Sequence, residues 1–119
     1  MGAKGSRVLV LAARQPEFVS LLEDAGYAVE TSNRPLNGAD AEVDVDVAVI
    51  FRGRLIGRGQ APSLSQRGVQ VIEVLTVDPP GASRAGWLRV SNRIPKSDLV
   101  QLVHAAADLA RARVGADAA

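Results

Sequence analysis

Apolar residues along this chain fall into five short continuous runs and two spaced stripes. The central run, Val45–Phe51, reads Val-Asp-Val-Ala-Val-Ile-Phe, and a glycine-rich segment follows it at once. A β-branched run of this length suits a strand buried on both faces, in the middle of a parallel sheet. Arg7–Ala13, Tyr27–Thr31, Val69–Thr76 and Trp87–Val90 are the other strand-like runs. Between the first two, Phe18, Leu21, Leu22 and Ala25 stand at i, i+3, i+4 and i+7, which predicts a helix with one apolar stripe. Pro16 belongs in its first turn and Gly26 at its end. Near the C-terminus, Leu99, Leu102, Val103, Ala106, Leu109 and Ala110 trace a second stripe, with Ser97 as N-cap and Asp98 at the positive helix end.

Strand, helix and strand within the first 31 residues make a right-handed βαβ unit. The whole reads as one α/β domain over 1–119, with 1–6 and 115–119 as flexible tails. The expected sheet is doubly wound, parallel and five-stranded, in the order 2-1-3-4-5. The three middle connections are poor helix material. Asn33, Pro35, Asn37 and Gly38 break the first, and Gly53, Gly57, Gly59, Pro62 and Gly68 leave the second only a short helix near Ser63–Arg67. Pro79-Pro80-Gly81 break the third. The first and last helices would share one face, so the other is expected to be thinly covered and open to a partner. The alternative is that loops carrying Leu36, Leu55, Ile56 and Leu64 fold over it.

Composition narrows the function classes. At 119 residues and 47% hydrophobic the chain can bury a core and is not disordered. A net charge of +1 gives no general attraction to nucleic acid or anionic lipid. With no Cys there is no disulfide framework or thiol nucleophile, and the lone His104 cannot form a His cluster. No apolar run approaches the ~20 residues of a membrane span. A cytoplasmic protein without a cofactor, bound to neither nucleic acid nor membrane, is the expectation.

The succession of elements resembles the receiver domain of two-component response regulators over roughly Arg7 to Arg113. The pieces that carry the likeness are Arg7-Val8-Leu9-Val10-Leu11, Pro16-Glu17-Phe18 with Leu21 through Val29, Asp46-Val47-Ala48-Val49-Ile50 and Val71-Ile72-Glu73-Val74-Leu75-Thr76. Trp87-Leu88 and Leu99-Val100-Gln101-Leu102-Val103 complete it. The resemblance implies a flavodoxin-like (CheY-like) fold. It also implies a phosphorylation site built from an acidic pair, an acceptor Asp and a Lys, with carboxylates holding a divalent cation. Here the acidic pair is replaced by Ala12 and Ala13, the acceptor position falls on Phe51, and Arg93 is the nearest cation to the lysine position. Thr76 and Trp87 match the hydroxyl and aromatic positions of the family's switch. The chain therefore resembles an atypical receiver, a pseudo-receiver, which is implied to act without phosphorylation by binding a protein partner or dimerising.

The residues offer a second reading. Arg14, Arg52, Arg54, Arg58 and Arg93 would gather at the carboxyl edge of the sheet, where α/β folds bind ligands. Guanidinium groups take carboxylates and phosphates bidentately, so a small anionic ligand could sit there. The simpler expectation is that these arginines pair with Asp40, Glu42, Asp44 and Asp46. The segment lacks the Gly-Lys-Ser/Thr ending of a phosphate-binding P-loop. Glu73, inside a strand expected to be buried, needs an arginine partner. Ser63, Ser65 and Ser91 have no His–Asp company, so no nucleophilic enzyme is expected. The leading expectation is a non-enzymatic signalling module acting through protein–protein contact, formed as a homodimer or complex at the thin sheet face or at the last strand and helix. The Ala105, Ala106, Ala107 and Ala110 set is expected on the outer side of that helix.

Overall fold

The computed structural model describes residues 6–13, 17–33, 45–53, 64–65, 68–76 and 87–118, with side chains described as far as Ala112. Five strands, β1 (Arg7–Leu11), β2 (Ala28–Ser32), β3 (Val47–Phe51), β4 (Gln70–Leu75) and β5 (Trp87–Ser91), form one sheet in the order β2-β1-β3-β4-β5. Every pairing is parallel. This is a flavodoxin-like α/β architecture, as the hydrophobic runs predict. The interior strands β1, β3 and β4 are buried almost throughout, because apolar side chains point to both faces.

Two helices are described, α1 (Phe18–Asp24) and α2 (Lys96–Ala118). Both lie on one face, where Val8, Val10, Val47, Val49, Ile72 and Val74 pack against Phe18, Val19, Leu22, Leu99, Val103, Ala106 and Ala107. The end of α1 explains why Gly26 is glycine. Its φ of 98° is left-handed, and it lets the Gly26 and Tyr27 N–H groups donate to the Glu23 and Leu22 carbonyls. That reversed pair of bonds is a Schellman stop, and it turns Tyr27 into the core beside Leu22.

Three helix expectations are corrected. Leu21 is 40% exposed and Leu109 is 58% exposed, while Val19 and Ala107 are buried in their place. The stripes run through 18, 19 and 22, and through 99, 103, 106, 107 and 110. Ala106, Ala107 and Ala110 therefore face the sheet rather than solvent, and of the four alanines only Ala105 is exposed. Ser97 does not cap α2. The helix begins at Lys96, and Leu99 N–H donates to the Pro95 carbonyl, so Pro95 opens it. Asp98 does lie in the first turn, and the backbone stays helical through Gly115 to Ala118.

The second sheet face is not open. Leu9, Leu11, Ala48, Ile50 and Val71 are each less than 5% exposed, packed with Val45, Leu64 and Val69. Leu64, at 2% exposed, supplies part of the expected cover. Pro16, Leu36, Leu55, Ile56, the remainder of the short helix near Ser63–Arg67 and the residue 1–5 tail lie outside the described residues. No described helix is long and apolar enough to cross a membrane.

Candidate functional site at the carboxyl edge

The carboxyl ends of β1, β3 and β4 bring together Ala12, Ala13, Phe51, Arg52, Gly53 and Thr76. Ala12 is buried, with its N–H donating to Ser32 O at 3.0 Å, and Ala13 is exposed. Phe51 turns to the helical face and meets Phe18 edge to face, with ring centroids 6.0 Å apart. An aromatic pair thus closes the helical side of the β3 end. Among the described residues no group of His, Cys, Asp or Glu could hold a metal ion.

Arg52 belongs to the opposite face. Its N–H extends the ladder to Val74 O at 3.0 Å. Two residues after Ile50, its side chain follows the alternation onto the face that carries Glu73, which is paired in register with Ile50 and Arg89. Glu73 is 1% exposed. Its Oε2 accepts from Arg52 Nη1 at 2.8 Å, and its Oε1 accepts from the Trp87 indole at 3.2 Å. Arg89 Nε stands 3.3 Å from the same Oε1, and the Arg89 guanidinium carbon lies 5.9 Å from the Trp87 ring centroid. The arginine partner expected for Glu73 is therefore present twice over. A buried carboxylate becomes tolerable only with such charge-assisted partners.

Of the other candidates, Arg93 is exposed in the turn after β5, where its N–H donates to Ser91 Oγ at 3.2 Å. Thr76 is exposed just past β4. Trp87 pairs in register with Val71 and Ser91 with Leu75, so Thr76 and Trp87 stand at opposite ends of their strands, about 16 Å apart. Arg14, Arg54 and Arg58 lie outside the described residues, as do Asp40, Glu42 and Asp44. Asp46 accepts the Arg7 backbone N–H at 3.0 Å.

One polar contact had no local signal in the sequence. Tyr27, at the foot of β2, hydrogen-bonds through its hydroxyl to His104 Nδ1 on α2, 77 residues away. Burial pushes the Tyr27 phenol above its ordinary range, and the Asp108 carboxylate adds to the rise. At the other end of the helical layer, the exposed Lys96 Nζ holds Glu17 Oε2 at 2.6 Å. That hydrogen bond, together with the lysine charge, lowers the Glu17 carboxyl below the usual range.

No family model and no curated protein matches the chain. Among solved structures it is similar to one described as a yeast Spc42 trimeric coiled coil fused to another structure. The TM-score is 0.70 at 18% identity, covering 96% of this chain and 84% of that one. At that identity the likeness shows the fold alone.

Proposed function

We propose that this chain is a receiver-like signalling module that works without phosphorylation and without catalysis, by protein–protein contact in the cytoplasm. The observation that carries the reading is the edge formed by β5 and α2. Leu88, Val90, Ile94, Val100 and Leu102 are only partly buried against the helical-face core, and Leu109 is the most exposed large apolar residue described. With the second sheet face covered, this edge is the apolar surface that a partner would take. The alanines and phenylalanine at the phosphorylation-site positions supply no carboxylate to hold a divalent cation or accept a phosphoryl group.

A second copy of the chain is the partner proposed. Sedimentation from micromolar to millimolar concentration should show a dimer, and Leu109→Asp should return it to monomer without loss of helix content. A strictly monomeric chain, or stoichiometric modification by acetyl phosphate with magnesium, would sink the reading.

A further inference from the structure

We propose that α2 is the axis of self-association, pairing in parallel with α2 of a second copy along a seam of Leu102, Ala105, Leu109, Ala112 and Ala116. The inference rests on the self-association proposed above and adds the element, the direction and the register.

Its first support is that α2 carries two apolar stripes. One, through Leu99, Val103, Ala106, Ala107 and Ala110, is buried against the sheet. The other steps by three and four residues from Leu102 to Ala116, the a and d spacing of helices that wind around each other. At 3.6 residues per turn its centre lies about 120° around the helix from the first stripe. Leu102 is half-buried beside the core, whereas Ala105, Leu109 and Ala112 are exposed. The second support is reach. Ala110 is the last residue of α2 described as buried, yet the backbone stays helical to Ala118, about 12 Å further along the axis. Alanines at the d positions let two such helices approach to the near end of the roughly 8–10 Å range of helix packing.

The third support is charge, and it selects the second copy and the direction. In this register the exposed Asp108 takes a g position, and the helical phase carries Arg113 to the e position five residues on. Parallel helices face each g position with the following e position of the partner. Asp108 of each copy then meets Arg113 of the other, twice by symmetry. Antiparallel helices face g with g and e with e, which opposes Asp108 to Asp108 and Arg113 to Arg113. The charges therefore fit the parallel pair. The seam spans about two heptads, so the dimer is a reversible one.

The test exploits the absence of native cysteine from the full chain. Ala105→Cys, Ala112→Cys and, on another side of the helix, Arg111→Cys are each oxidised with copper phenanthroline, beside a mixture of the first two. Parallel helices bring equivalent d positions within disulfide reach. Ala105→Cys and Ala112→Cys should each form a covalent dimer alone, at several times the Arg111→Cys yield. In sedimentation, Asp108→Arg should weaken the noncovalent dimer roughly tenfold, and adding Arg113→Asp should restore it. Disulfides formed only in the mixture would mean antiparallel helices and overturn the proposal. So would a double charge exchange that fails to recover affinity in a folded protein. A dimer whose α2 cysteines stay reduced would overturn the seam while leaving self-association intact, and a strict monomer would overturn both.

Discussion

Arg52, one residue past β3, and Glu73, in the middle of β4, form an ion pair of 2.8 Å across 21 positions of sequence. The pair is unequal, since Glu73 is 1% exposed and Arg52 is 21% exposed. Glu73 also has Arg89 and the Trp87 indole, whereas among the described residues the Arg52 side chain hydrogen-bonds to Glu73. The carboxylate is therefore the hub, and the strands β3, β4 and β5 are stitched through it.

This asymmetry predicts an order of stabilities. Glu73→Gln removes the charge that two guanidiniums share in a buried setting and should cost about 3–5 kcal/mol. Arg52→Met leaves Glu73 with Arg89 and Trp87 and should cost clearly less. Urea unfolding followed by circular dichroism measures both. A larger loss for Arg52→Met than for Glu73→Gln would mean that the hub is misassigned.

Trp87 is the only tryptophan, and its indole reports on Glu73 directly. Trp87→Phe keeps the ring packing and removes one donor to a charged acceptor, so it should cost about 1.5–3 kcal/mol. In Glu73→Leu the indole loses its acceptor, and the Trp87 emission should move measurably from that of the parent protein. An unmoved emission would show that the indole–carboxylate bond does not form in solution.

Neighbouring leucines on α1 should behave oppositely. Leu22 is fully buried and Leu21 is 40% exposed. Leu22→Ala should cost about 2–5 kcal/mol, whereas Leu21→Ala should stay within about 0.5 kcal/mol. Equal losses in thermal unfolding would restore the stripe drawn from spacing alone.

That contrast shows what was legible in the sequence. The strands were, because a β-branched run bounded by breakers has one good solution, and burial on both faces makes the order of apolar and polar residues unimportant. Glu73 was legible as a misfit: a carboxylate amid Val71, Ile72, Val74 and Leu75 needs a cation, and two supply it. The helix faces were less so. Periodicity fixes the angle of a stripe only to within a residue, and Val19 and Leu21 flank Phe18 and Leu22 on opposite sides. On the last helix the same one-residue latitude separates Ala107 from Leu109, which flank Leu99, Val103 and Ala110 on opposite sides; Ala107 is buried and Leu109 exposed. The cover on the second face was harder still: Leu64 and Ser65 are helical, as expected near Ser63–Arg67, but a helix that short has no stripe to show that Leu64 is the residue it buries. Tyr27 and His104 meet only through tertiary packing, and no local pattern announces it.

Gly26 carries its own test. At φ 98° a side chain is strained, so Gly26→Ala should destabilise the protein by about 1–2 kcal/mol. The Schellman bonds from Gly26 and Tyr27 should survive in the variant, leaving helix content unchanged. A neutral or stabilising substitution in chemical denaturation would show that the left-handed turn is not kept in solution.

The buried Tyr27 phenol predicts a loss of stability at high pH. Burial and Asp108 raise the folded-state phenol above its unfolded value of 10.0. Between those two values the unfolded chain has released a proton that the folded one retains. Stability is therefore full below pH 10 and falls as pH rises through the folded value. Tyr27→Phe removes the titrating group, so the alkaline decline should flatten. At neutral pH the same variant loses one hydrogen bond to His104, at a cost of about 1 kcal/mol. The two effects have opposite signs, so the stability curves of parent and variant should converge above pH 10. Curves that stay parallel from pH 7 to 11 would assign the alkaline loss to some other group.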